Sequence, residues 1–214
     1  MVNLTTDYKT NPIFTRNTFP MGGSEGFALI KKQEIDLTNL KFITYADTKH
    51  NDTKHNDCGV LFFVDDYKFY NIGFQPKRTF KKLSQYPVLC TPEYSMFADL
   101  PIWVQKQHIG LNRWVGAYWQ SRGLKVIPSI NWGLAQSFEF CFQGVEKDSI
   151  VAVGMIGCKM DKISFMRGYN EMLNQIKPEI ILCYGTPFKE MKGNIITADY
   201  WRRGNLKSNN KGGQ

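Results

Sequence analysis

Six short apolar runs, Leu40–Ala46, Val60–Val64, Val88–Cys90, Val126–Ile130, Ile150–Met155 and Ile180–Cys183, constrain this chain more than any other feature. Each is brief, rich in Val, Ile and Phe, and closed by a polar or turn residue, which favours strand over buried helix. Runs that scarcely alternate point to strands covered on both faces, as in parallel sheets. Segments of helical length lie between them. Val104, His108, Leu111 and Val115 follow helical spacing over 101–122, with Asp99 and Pro101 as start signals and Gly123 as a stop. Asp161 opens a second helix over 161–177 that Pro178 ends, and a shorter one is expected near 77–86.

Strand and helix therefore alternate, and the expected fold is α/β: a compact or incomplete (β/α) barrel-like array with a mostly parallel sheet. A full eight-unit barrel takes about 250 residues, and this chain has 214. The polar first stretch, broken by Asn11-Pro12, Phe19-Pro20 and Met21-Gly22-Gly23, reads as an irregular arm over 1–39. The α/β core is expected over 40–200, and a basic, disordered tail over 201–214.

Hydrophobic residues make up 43% of the chain, which excludes a wholly disordered polymer. No stretch approaches the about 20 apolar residues of a membrane span, and no apolar leader follows Met1, so a cytoplasmic protein without membrane association is expected. Five scattered cysteines with no C-x-x-C pair read as reduced, buried hydrophobes. The chain lacks the Walker A, dinucleotide, hydrolase-elbow and zincin strings. A perfect tandem repeat, Thr48–Asp52 followed by Thr53–Asp57 (TKHND twice), reads as a duplicated loop whose spacing matches no standard zinc pattern.

In parallel α/β arrays the chemistry gathers beyond the carboxyl ends of the strands. The first polar residues there give the candidate site. Asp65, Asp66 and Glu93 are the candidate catalytic carboxylates, suited to acid/base work or to a hard metal such as Mg²⁺ or Mn²⁺, although no cofactor is specified. Asp47, Asn131, Trp132 and Tyr184 are the candidate ligand contacts. His108, mid-helix, reads as a hydrogen-bonded core residue. Lys plus Arg number 27 against 19 Asp plus Glu, a net +8. Arg113 and Arg122, interleaved with aromatics, and Arg202, Arg203, Lys207 and Lys211 of the tail are the candidate nucleic-acid contacts.

Several ordered motifs carry a resemblance: Val64-Asp65-Asp66-Tyr67-Lys68-Phe69, Thr91-Pro92-Glu93-Tyr94-Ser95-Met96, Asn112–Gln120 and Val126–Trp132, with Phe138–Val145, Ile150–Gly157 and Glu179–Gly185 after them. Across Leu40 to Gly185 the chain resembles a family of unknown function found in phages, plasmids and integrative elements of bacteria, mainly Firmicutes. Glu93 and Gln143 stand where that pattern has Asp. The resemblance implies a mobile-element origin and the same α/β core; it assigns no activity and no site residue. Three readings stay open. One is a mobile-element protein that binds nucleic acid in replication, transfer or control. Another is a metal-dependent phosphodiester-processing enzyme. The third is a counter-defence protein that binds a host protein or a signalling nucleotide.

Overall fold

The computed structural model describes residues 19–198 and Tyr200. A two-residue hairpin, β1 (Met21–Gly22) and β2 (Phe27–Ala28), precedes the core. The core holds β3 (Phe42–Thr44), β4 (Gly59–Leu61), α1 (Asn71–Phe74), α2 (Pro76–Leu83), β5 (Val88–Cys90), α3 (Ile102–Ser121) and β6 (Lys125–Ile127). Then come β7 (Ile150–Gly154), α4 (Lys162–Ile176), β8 (Ile180–Tyr184) and β9 (Ile195–Thr197). Strands β3-β4-β5-β6 form one parallel sheet and β7-β8-β9 another.

The two sheets meet at two seams. Ser129 bridges Ala152 in parallel, with hydrogen bonds from the Ile130 amide to the Ala152 carbonyl (2.8 Å) and from the Ala152 amide to that of Pro128 (2.9 Å). Phe42 bridges Tyr200, also in parallel. Seven parallel strands thus follow one another around an incomplete barrel, with single bridges in place of continuous ladders at the seams.

The apolar runs are explained by this arrangement. Alternate residues along each strand point to opposite faces. Phe42, Leu61, Cys90, Ile127, Ala152 and Leu182 face a shared interior cluster. Their neighbours Ile43, Val60, Leu89 and Val126 face a second cluster that includes Leu83 and Trp119. Val151, Val153, Ile181 and Cys183 face a third, closed by Tyr169, Met172 and Ile176 of α4. Both sides of every central strand are covered.

Helix boundaries follow local chemistry. The Asp161 carboxylate accepts from the Ser164 amide at 3.0 Å and caps α4, whose far end turns through Lys177 at φ 52° before Pro178. Helix α3 starts at Pro101 without a side-chain cap, so Asp99 does not perform the role its position suggests. Strand β9 was not foreseen: its three residues are half-exposed or exposed and lie in a polar stretch. No helix among the described residues is long and apolar enough to cross a membrane. Cys58, Cys90, Cys141 and Cys183 are buried, and all five cysteines are free. Arg202, Arg203, Lys207 and Lys211 lie outside the described residues.

Arg113 overturns its expected role. Its side chain is fully buried. The guanidinium donates to the carbonyls of Gln143 (2.8 Å), Cys141 (2.6 Å) and Ser129 (3.3 Å) and to Asn112 Oδ1. Burial lowers its pKa to about 10, which still leaves it charged at neutral pH. A guanidinium spent on internal carbonyls is not available to a phosphate backbone. Replacing Arg113 with Leu strands buried carbonyls, and we expect a loss of about 2–4 kcal/mol, read by urea denaturation.

Candidate functional site

Beyond the carboxyl ends of β4, β5, β6 and β7 opens a pocket of ≈ 470 Å³. Four separate stretches build it: Phe63–Asp65, Glu93 with Ser95–Phe97, Ile130–Trp132, and Val153 and Gly154 with Ile156–Cys158, and Phe165 of α4 adds a further wall. Parallel strands aim these loops to one side, so residues up to a hundred positions apart share one cavity. Asp65, Glu93, Asn131 and Trp132 come together there.

The remaining expected residues lie elsewhere. Asp66 turns away: its carboxylate accepts from the Ser95 amide and from Ser95 Oγ, both at 2.9 Å. His108 Nδ1 lies 2.8 Å from the Ser95 carbonyl, and its ring packs on Tyr94. Asp66 therefore fixes the β5 loop instead of facing the cavity. Asp47 accepts from Thr44 Oγ1 at 2.7 Å inside its own turn. Tyr184 is buried in the barrel interior, stacked on Phe63 with ring centroids 5.3 Å apart and against Tyr200 at 4.5 Å. It supports a pocket residue without lining the pocket. Arg122 is exposed at the end of α3, its guanidinium over the Tyr118 ring. A helix of 20 residues is about 30 Å long, so Arg122 lies far from the strand ends where α3 begins.

The two carboxylates in the pocket differ. Asp65 is 66% exposed and paired with Lys68 at 3.0 Å. Glu93 is half-buried, and its Oε1 accepts from Asn131 Nδ2 at 2.6 Å. The same amide nitrogen donates to the Tyr94 carbonyl, also at 2.6 Å, which fixes its orientation. Burial raises the Glu93 pKa from an ordinary 4.5 to about 8; the Asn131 hydrogen bond opposes this and the nearby Asp66 charge adds to it. Glu93 is accordingly a protonated acid at neutral pH, offering both an O–H donor and a carbonyl acceptor.

Aromatic rings supply the rest. Trp132 packs on Phe165, with centroids 5.1 Å apart, and lies against α4 at Gly168. A Cβ at Gly168 would come within 2.2 Å of the indole, so only glycine lets the ring approach the helix this closely. Phe63 and Phe97 add two further rings to the lining. No Lys or Arg is among the described residues that line it. Among the described residues no group of three or more His, Cys, Asp or Glu side chains gathers to hold a metal ion.

Sequence reasoning missed Ser95, Phe97 and Phe165. Cys158, four residues past the end of β7, falls in the strand-end set after the run Ile150–Met155, but its residue type reads as a buried hydrophobe and kept it out of the candidate site. Its thiol is raised to about 11, by burial first and then by Glu93, which keeps it protonated. Phe165 comes from a helix, where the strand-end rule is silent.

Residues 24–201 match the family model described as Domain of unknown function (DUF4417). The chain belongs to this family. Two phage proteins are similar to it: the Gene 1 protein of Mycobacterium phage L5 is 34% identical over 141 residues, 64% of this chain and 62% of that protein. The Gene 1 protein of Mycobacterium phage D29 is 34% identical over 127 residues, 58% of this chain and 47% of its own length. This member thus spans less than two thirds of either relative. No solved structure matches it.

A raised carboxyl pKa has a definite stability signature. Between 4.5 and about 8 folded Glu93 holds a proton that the unfolded chain has released. Its contribution is complete below the lower value and lost as pH rises through the upper one. Wild-type protein should therefore lose stability against Glu93→Gln across that window, by on the order of a few kcal/mol. Thermal melts of both proteins across that pH range check this.

Proposed function

We propose that this family member is a mobile-element protein that acts on nucleic acid by binding it, taking one unpaired base into the pocket. The observation that carries the reading is the Glu93–Asn131 pair lining the same cavity as Trp132. A nucleobase asks for this combination: π faces to lie against, and a hydrogen-bonding edge. Small-molecule pockets run to about 300–1,000 Å³, and this one is ≈ 470 Å³. With no Lys or Arg among the described lining residues, the pocket suits the base and leaves the phosphate outside.

The chemistry narrows the choice of base. A protonated Glu93 donates from one oxygen and accepts at the other, which complements the adjacent amino donor and ring-nitrogen acceptor of adenine or cytosine. The guanine edge offers two donors and suits an ionised carboxylate. The phage-encoded relatives support a mobile-element role, a setting in which single-stranded nucleic acid is a recurrent intermediate. A reading as a phosphodiester-processing enzyme loses support here, because Asp66 is committed to Ser95 and Asp65 to Lys68.

Nucleosides test the pocket without any phosphate. Adenosine or cytidine should bind, by calorimetry or tryptophan fluorescence, and their affinity should fall as pH rises past about 8. Glu93→Gln, which keeps a donor and an acceptor, should bind at neutral pH and lose that pH dependence. Trp132→Ala, or Gly168→Ala acting through the displaced indole, should weaken binding about tenfold or more. Nucleosides that fail to bind at any pH would sink the base-pocket reading.

A further inference from the structure

A second surface, remote in sequence from the pocket loops of β6 and β7, carries positive charge that the fold does not use. From Tyr67 to Pro92 the chain contains no Asp or Glu. Helix α2 lies within that stretch. Lys77, Arg78 and Lys81 are exposed on it, while Pro76 and Leu83 are buried and Phe80 packs against Tyr118. None of the three forms an ion pair among the described residues; Arg78 Nη1 only reaches Gln75 Oε1 at 3.3 Å.

Stability does not explain these cations. Lys77 and Arg78 occupy the first turn, where the helix dipole disfavours positive charge. Lys77 and Lys81 are four residues apart, a like-charge spacing that costs a few tenths of a kcal/mol. An acidic residue at either position would serve the helix better.

The tandem repeat adds to the same surface. Gln85 Nε2, just beyond α2, donates to the carbonyls of both Lys49 and Lys82 at 2.7 Å. Gln85 Oε1 accepts from the Asp52 amide at 2.8 Å, and Tyr86 Oη donates to Asp52 Oδ2 at 3.0 Å. Asp52 also accepts from the Lys54 and His55 amides. Burial works against its carboxylate, yet these donors outweigh that and hold its pKa below the ordinary range. The repeat is therefore fastened to the end of α2, with the Lys49 and Lys54 side chains exposed and not ion-paired among the described residues.

We propose that α2 and the tandem repeat form a binding face for the phosphate backbone of a nucleic acid, through Lys49, Lys54, Lys77, Arg78 and Lys81. Five cations with no ion pair among the described residues, three on α2 and two on the repeat fastened to its end, match a repeating polyanion. A lipid surface is the poorer fit, because the apolar side of α2 is turned inward and leaves nothing to insert between acyl chains. The choice of partner rests on the base-binding reading above; the surface itself does not.

Labelled single-stranded and duplex oligonucleotides, titrated over a range of salt against the full chain, decide the matter. Binding should weaken steeply with salt, because each neutralised phosphate releases counterions. Lys77→Ala/Arg78→Ala/Lys81→Ala should reduce affinity at least about tenfold and the log–log salt slope by about 2–3, while adenosine binding stays unchanged. Should that variant melt early, Lys49→Ala/Lys54→Ala gives the same reading from the loop side. An unchanged salt slope in both variants overturns the proposal, as does preferential loss of binding to anionic phosphatidylglycerol vesicles. Loss of nucleoside binding with this face intact would instead count against the pocket.

Discussion

The architecture depends on a charged group placed where charge is costly. Arg113 enters from the middle of α3, is wholly enclosed, and has no carboxylate partner among the described residues. Taking a guanidinium out of water costs several kcal/mol unless its donors are matched. Here they are matched by backbone: carbonyls of the segment before Val145, the Ser129 carbonyl at the β6–β7 seam, and the neighbouring Asn112. One side chain thus supplies hydrogen bonds to irregular backbone that no strand or helix could satisfy. Phe140–Phe142 and Gly144 can be buried because Arg113 takes up the Cys141 and Gln143 carbonyls.

The knot extends to the pocket. Asn112 accepts from Thr91 Oγ1 at 3.1 Å and donates to the Pro92 carbonyl at 2.7 Å. Ser129 donates its amide to Thr91 Oγ1 and its hydroxyl to the Thr91 carbonyl. Thr91 and Ser129 each lie two residues before a pocket residue, Glu93 and Asn131. The 2.6 Å contact between those two therefore rests on a buried scaffold and not on loop flexibility. A pair held this way is already ordered, so no ordering cost would precede its contact with a ligand.

How much of this could be read in advance divides along a physical line. Val60, Leu89, Val126 and Ile181 announced strands covered on both sides, and the parallel rule then sent Asp65, Glu93, Asn131 and Trp132 toward one side. Those inferences need only the direction of the chain. What failed needed three-dimensional contacts. Arg113 looked like a surface cation because arginine is seldom fully buried, and only the unmet carbonyls around it show why it is inside. Asp66 looked equivalent to Asp65, yet a one-residue step in a turn gives it Ser95 instead of the cavity. Arg122, just past the far end of α3, is exposed but lies away from the strand ends.

The tandem repeat shows the same division in its purest form, because two identical pentapeptides have different environments. Asp52 is 5% exposed and accepts from backbone, imidazole and phenol, while its copy Asp57 is exposed. Thr48 is buried and donates to the Tyr45 carbonyl, whereas Thr53 is exposed. Sequence cannot distinguish the copies, so the difference comes from what each copy lies against. The first rests on Gln85 and Tyr86, and the second follows wherever that anchor leaves it. A duplication at this place lengthens a loop whose closure cost grows only with the logarithm of length, and it doubles the exposed lysines while its new contacts, from Lys54 and His55, turn back onto Asp52 of the first copy. That asymmetry lets a basic surface grow while the core beneath β3 and β4 stays unchanged.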